Sequence, residues 1–306
     1  MEKVILFYKY VSLEFPVQIQ KWQRRLCTEL GLTGRIILAA EGINGTLAGS
    51  NTALEQYKKA MLDHPLFTEI DFKESPGSIH NFPRLFISIK EEIVKLGIPS
   101  QKIRAVDGGR HLTPAQAHAL LKQNPHDLVL LDGRNNYESR IGTFAGAITP
   151  PIENFRELPE YIDNNSELFK DKTVLMFCTG GIRCERASAY LKQKNVAREV
   201  LQISGGIHRY VEQFPQGYFK GKNYVFDGRV ALTVTDDILT NCDNCAQPYD
   251  AYENCINAQC NKQIILCPAC LPQRKSSCSN TCLALVESGT VTKRTISKRT
   301  VISQQR

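Results

Sequence analysis

Cys178 and Arg183 bracket a run whose residue types do chemistry: Cys178-Thr179-Gly180-Gly181-Ile182-Arg183, followed at once by Cys184. Two adjacent glycines let such a loop curl so that successive amide N–H groups point inward and form a concave anion site. A thiol at its first position gains from those donors, from the dipole of a following helix and from the Arg183 guanidinium. Its pKa is therefore expected to fall until the thiolate dominates at neutral pH. A lone cysteine in this setting reads as a buried structural thiol; the Gly-Gly and the arginine move the reading towards chemistry. Further on, eight of the eleven cysteines fall in four short pairs: Cys242/Cys245, Cys255/Cys260, Cys267/Cys270 and Cys278/Cys282. Each spacing lets one turn offer two thiolates about 3.8 Å apart, and four pairs satisfy two tetrahedral all-cysteine zinc sites. Which pairs share an ion is not readable from spacing. With few large apolar residues, the segment is expected to need its two structural zinc ions to fold.

The elements around the loop follow from periodicity. Residues 172–177 read as a buried strand, and Ala187, Tyr190 and Leu191 recur at helical spacing, so Cys178 stands at a strand end beneath a helix N-terminus. Upstream, Thr113-Pro114 caps a helix and residues 128–132 form a parallel-type strand ending in Asp132-Gly133-Arg134. Residues 199–203 supply a further strand before Gly205-Gly206. Together these make an α/β unit with a parallel sheet, whose ligands bind beyond the carboxyl ends of the strands. Asp132 and Arg134 read as an ion pair bracing the loop, Cys184 as packing in the first helical turn, and His208 as a surface residue.

The first 95 or so residues have a different rhythm. Residues 3–10 alternate, a helix runs from Val17 to Leu30 and is stopped by Gly31, and residues 34–40 form a buried strand. A turn containing Asn44-Gly45 follows, then a helix capped by Asn51-Thr52, then strands near 69–74 and 84–94. The order βαββαβ predicts a ferredoxin-like domain. Cys27 and Trp22 read as packing residues, and Glu41-Gly-Ile-Asn-Gly-Thr46 as turn chemistry. The expected division is 1–96 ferredoxin-like, 97–112 linker, 113–218 α/β, 219–283 cysteine-rich and zinc-binding, and 284–306 a basic, disordered tail.

The loop resembles the active loop of rhodaneses, which carry sulfur as a cysteine persulfide. Phosphatase loops of similar shape place five residues between cysteine and arginine; here there are four, which disfavours a phosphatase. Asp132-x-Arg134 and Tyr137-Glu138 before Gly142-Thr-Phe144-Ala-Gly146-Ala also resemble rhodanese modules. Taken with Glu41–Thr46, Cys178–Glu185, Val225-Phe-Asp227-x-Arg229 and the cysteine-rich end, the chain resembles the rhodanese-domain family of tRNA uridine-34 hydroxylases over nearly its whole length. That resemblance implies dioxygen as co-substrate, 5-hydroxyuridine at the wobble position as product, and binding to the anticodon region of tRNA. Cys178 is the expected catalytic residue, with Thr179, Gly180, Gly181, Ile182 and Arg183 as its loop and Cys184, Asp132 and Arg134 as accessories. The rhodanese likeness keeps a persulfide-based sulfurtransferase as a second reading, and a non-catalytic RNA- or protein-binding module as a third.

Composition sets outer bounds. The chain has 306 residues, 42% apolar and 23% charged, as globular proteins do. No run approaches the ~18 apolar residues a membrane span needs, so no membrane association is expected. The N-terminus reads as a strand and not a signal peptide, which implies the cytoplasm. Net charge is +7, and residues 219–306 carry 11 basic against 7 acidic side chains, as an appended polyanion-binding surface would. No flavin, nicotinamide, haem or non-haem iron motif is present.

Overall fold

Alternation in the first ten residues builds the first layer. Strand β1 (Glu2–Tyr10) buries Ile5 and Phe7 on one face and turns Leu6, Tyr8 and Tyr10 to the other. The computed structural model describes residues 2–260 and 262–294, and the chain divides into two compact units, Met1–Asn136 with Gly146–Tyr218, and Tyr137–Ala145 with Phe219–Arg306.

In the first unit, β1 is followed by α1 (Pro16–Glu29), β2 (Thr33–Ala39), β3 (Gly42–Ser50), α2 (Asn51–Leu62), β4 (Asp71–Pro76) and β5 (Leu85–Ile89). The sheet order β4-β1-β3-β2-β5, with β1 antiparallel to β3 and β4, is the predicted ferredoxin-like arrangement with one strand added beside β2. Ile5, Phe7, Cys27, Leu54, Tyr57 and Met61 lie in the core under the helices. Two local expectations need correction. Asn44-Gly45 is not a turn but mid-strand, where a Cβ at Gly45 would stand 2.2 Å from the tip of the Phe7 ring, so only glycine leaves room for that ring opposite β3. The cap of α2 is Ser50, whose hydroxyl accepts the Ala53 N–H at 3.2 Å, and not Asn51-Thr52.

The unit continues with β6 (Arg110–Leu112), α3 (Pro114–Gln123), β7 (Leu128–Asp132) and the one-turn helix α4 (Asn136–Ser139), where the chain passes to the second unit. Thr113 and Gln116 close the capping box of α3. After β8 (Gly142–Phe144) in the second unit, it returns for α5 (Leu158–Asn164), β9 (Thr173–Phe177), α6 (Ile182–Lys194), β10 (Glu199–Ile203) and α7 (Gly206–Gln213). The four-stranded sheet β6-β10-β9-β7 is parallel throughout, with β9 an inner strand buried at every residue.

Residues 97–112, expected as a linker, are bound to the fold. Arg186 of α6, fully buried, donates to the carbonyls of Ile98 and Ile103, and β6 pairs with β10. The segment lacks periodicity because these long-range bonds, not a repeating apolar face, order it.

The second unit holds the antiparallel sheet β12-β11-β8, with β11 (Phe219–Tyr224) and β12 (Ala231–Thr233), the hairpin β13 (Tyr252–Asn254) and β14 (Gln263–Ile265), and helices α8 (Cys270–Arg274) and α9 (Asn280–Glu287). Ile141, Tyr224, Tyr252 and Ile265 form its small apolar core. Residues 284–294, expected as the start of a tail, are ordered. Lys293 bridges to Asn257, and Arg294 donates to the carbonyls of Cys255 and Cys260. The rest of the expected tail, 295–306, lies outside the described residues.

Candidate active site and metal centres

The strand-loop-helix around Cys178 follows from three local facts. β9 ends at Phe177, Gly181 takes a left-handed φ of +102°, and α6 begins at Ile182. The Gly181 N–H then points back and donates to the Cys178 sulfur at 3.2 Å. The Arg183 and Cys184 amides and the Cys184 thiol, set around that sulfur, favour its charged form. Burial pushes the thiol up, but the Cys184 hydrogen bond, the Arg183 charge and these amides outweigh it and bring Cys178 down to about 5. Cys184 moves the other way, well above the ordinary thiol, through burial and the thiolate beside it. These surroundings favour a thiolate at Cys178 and a protonated thiol at Cys184.

The loop is held from below and from behind. Ile207 and His208 of α7 donate their N–H groups to the carbonyls of Cys178 at 2.9 Å and Thr179 at 3.1 Å. A Cβ at Gly206 would lie 2.4 Å from the Cys178 oxygen, so that approach needs glycine. His208 is thus buried against the loop and not a surface residue, since its backbone is a support of that loop. Arg183 folds back to donate to the Thr179 hydroxyl at 3.2 Å. Asp132 and Arg134, both fully buried, form a two-point ion pair, with Nη2 to Oδ2 at 2.6 Å and Nε to Oδ1 at 2.9 Å. The intervening Gly133 N–H donates to the Phe177 carbonyl at 2.8 Å, which ties the pair to the residue before Cys178.

The sequence did not indicate which side chains cover the loop. The outward face of the first sheet does so. Leu6 is paired with Lys73 and Tyr8 with Asp71 across β1 and β4, so these four side chains share a face. A Cβ at Gly180 would meet Leu6 at 2.8 Å and Lys73 at 3.8 Å, and one at Gly181 would meet the Tyr8 hydroxyl at 2.6 Å. The Tyr10 hydroxyl donates to the Ile182 carbonyl at 3.2 Å. Glu41, read as part of a turn, accepts the Ile93 N–H at 2.9 Å and lies 3.6 Å from Arg186. The alternation of Leu6, Tyr8 and Tyr10 on a strand marked an amphipathic second face, which is the signal that could have found them.

Beside the covered loop lies a cavity of about 560 Å³, lined in part by Tyr8, Lys73, His111, Glu185 and Gly205. Cys178 itself is fully buried, and Tyr8 and Lys73 of the cavity lining lie against Gly181 and Gly180 of its loop. The volume lies within the range of clefts that take small ligands, roughly 300–1,000 Å³.

In the second unit the cysteines assemble as Cys242, Cys245, Cys267 and Cys270, and as Cys255, Cys260, Cys278 and Cys282, with each set's sulfurs within 4.8 Å of one another. The pairing is interleaved, first pair with third and second with fourth. Separations of 3.7 Å (Cys245–Cys267), 3.8 Å (Cys260–Cys278) and 3.6 Å (Cys278–Cys282) match the edge of a sulfur tetrahedron around a metal ion. Each set can hold one such ion.

A parallel sheet with a cysteine opening a six-residue glycine loop at a strand end defines a rhodanese-like domain, and the rhodanese-like family model matches residues 113–213. The UPF0176 acylphosphatase like domain matches residues 2–93, and the rhodanase C-terminal model residues 220–283. The chain is 37% identical over 284 residues to the tRNA uridine(34) hydroxylase of Corynebacterium urealyticum, covering 90% of this chain and 95% of that one. It is 38% identical to the protein of the same name from Corynebacterium jeikeium, over 90% and 91% of the two chains, and 38% identical to that of Arthrobacter sp., over 88% and 94%. This chain belongs to the tRNA uridine(34) hydroxylase family. No helix among the described residues is long and apolar enough to cross a membrane.

Proposed function

We propose that this chain converts uridine 34 of tRNA to 5-hydroxyuridine in the cytoplasm, with dioxygen as co-substrate and Cys178 as the nucleophile. Family membership supports the reaction. The single observation that carries the residue is the Cys178 sulfur at the end of β9 accepting the Gly181 N–H at 3.2 Å, a setting that with Cys184 and Arg183 outweighs burial, brings it to about 5 and favours the thiolate at neutral pH. A thiolate that adds to C6 of uracil leaves the electron pair at C5, the carbon that must acquire oxygen. The cavity beside the loop supports a flipped-out base as the substrate form. Entry then requires Tyr8 and Lys73, which cover Gly180 and Gly181, to move aside.

The anticodon region of tRNA is the expected partner, with zinc in both four-cysteine sets as a structural ion that staples the second unit. The matched spans support domain divisions at 1–96, 113–218 and 219–283. The sulfurtransferase reading rests on the rhodanese-like domain alone, and no specific observation favours the non-catalytic one.

Nucleoside mass spectrometry of tRNA tests the proposal, in cells lacking the gene and restored with the wild-type or Cys178→Ser protein. Restoration of 5-hydroxyuridine by the wild type alone is expected. Equal restoration by Cys178→Ser would remove Cys178 from the chemistry.

A further inference from the structure

Hydroxylation by dioxygen consumes two electrons beyond those supplied by the uracil ring, and a second buried thiol, Cys184, stands in the turn that holds the reacting sulfur. Cys178 and Cys184 are both fully buried and belong to one packed cluster. Gly181 joins them. Its N–H donates to the Cys178 sulfur at 3.2 Å and its carbonyl accepts the Cys184 N–H at 3.0 Å, which folds the first turn of α6 back over the thiolate. The Cys184 sulfur lies 3.9 Å from where a Cβ on Gly133 would stand, and the Gly133 N–H holds the Phe177 carbonyl at 2.8 Å, so the Cys184 side chain is aimed at the base of the loop beside Cys178. Both cysteines lie outside the two metal-binding sets.

We infer that Cys184 is a second catalytic residue, the internal reductant that supplies electrons to the bound oxygen together with Cys178. The inference rests on the proposed role of Cys178 and extends it. Once the Cys178 thiolate has added to C6, the electron pair at C5 attacks dioxygen, and with one proton from solvent a C5 hydroperoxide results. The Cys184 sulfur attacks the distal oxygen. The S–O bond forms, the O–O bond breaks, and the thiol proton passes to the oxygen left on C5. Loss of the C5 proton restores the C5–C6 double bond and expels Cys178 as thiolate, releasing 5-hydroxyuridine. Cys178 then displaces hydroxide from the Cys184 sulfenic acid, and the hydroxide leaves as water. One dioxygen has become one product hydroxyl and one water, and two thiols have become one disulfide. A dithiol reductant then resets the pair by exchange.

The test is a single turnover by the full-length protein, reduced, freed of reductant without air, mixed with tRNA bearing unmodified uridine 34, and exposed to dioxygen. One 5-hydroxyuridine per chain, together with one Cys178–Cys184 disulfide seen by peptide mass spectrometry, is expected. Product with both cysteines still thiols would overturn the inference, as would product that forms only when reductant is added. In Cys184→Ser the hydroxyl keeps the hydrogen-bond donor but not the electrons, so product without added reductant should fall about 100-fold. Trapping on tRNA carrying 5-fluorouridine at position 34 separates the two proposals. Cys184→Ser should still form the covalent C6 adduct, and undiminished turnover by this variant would overturn the inference. If the wild type forms no adduct, the role of Cys178 falls first and that of Cys184 with it.

Discussion

Tyr8 of β1 donates its phenol proton to Glu185 of α6 at 2.9 Å, although 177 residues separate them in sequence. His111 shares the same carboxylate oxygen at 3.1 Å, and Gln202 reaches the other at 3.3 Å. Three of these four residues line the cavity, so a carboxylate, a phenol and an imidazole meet on one wall. Burial first, and then the Glu185 charge, push Tyr8 well above the ordinary phenol, so at neutral pH it remains a donor.

Tyr8→Phe should therefore keep the fold and its melting temperature but lower the rate of 5-hydroxyuridine formation by about 10-fold, the scale of one positioned donor. Single-turnover assay beside thermal unfolding checks this. An unchanged rate would remove Tyr8 from the site's chemistry.

The Glu185 hydrogen bond raises His111 above its ordinary value against the opposing effect of burial. Because the folded pKa is raised, the associated stability is complete below the unfolded pKa and is lost as pH rises through the folded one. In Glu185→Gln the His111 NMR titration midpoint should fall. A midpoint equal to that of the wild type would contradict the pairing.

Arg183 is one of the groups that hold Cys178 at about 5, after the Cys184 hydrogen bond and against burial. The acid limb of the hydroxylation profile should lie near that value, and in Arg183→Gln it should move upward by about 1–2 units. The ultraviolet absorbance of the thiolate, titrated in both proteins, checks the assignment independently of turnover.

Arg186 is buried between Glu41, Glu92 and the carbonyls of Ile98 and Ile103, and it joins the first sheet, residues 97–112 and α6. Removing one member of such a network leaves the others uncompensated, so Arg186→Met should cost about 3–5 kcal/mol in denaturant unfolding. Burial already raises the Glu41 pKa. The loss should therefore be smaller at mildly acid pH, where protonation removes the stranded charge.

The interleaved cysteine sets make a stoichiometric prediction. Cys242→Ser and Cys267→Ser should each lose one metal ion, and the double variant no more than one, because both belong to the same set. Cys242→Ser with Cys278→Ser should lose both ions. Metal analysis after gel filtration distinguishes this from sequential pairing, in which Cys242 and Cys267 would belong to different ions.

Much of the scaffold was legible because it is written in local terms. The Thr113-x-x-Gln116 cap, the all-apolar β9 and the alternation of β1 each need only neighbouring residues to be read. Asn44-Gly45 misled for the opposite reason. The dipeptide favours a turn in isolation, and only the pairing of Gly45 opposite Phe7 makes it strand. Lys293 and Arg294 misled in the same way, since a Ser/Thr/Lys/Arg run reads as solvated until it is paired with Asn257 and the Cys255 and Cys260 carbonyls.

By itself the sequence determined that a thiol opens a glycine loop at a strand end and that eight cysteines come in four short pairs, because spacing along one turn is a local property. Only the tertiary structure decided which pairs share a metal ion. It also decided that Leu6, Tyr8 and Lys73 close over the loop. Those are contacts between residues brought together by strand register and layer packing, and neither can be read from intervals along the chain.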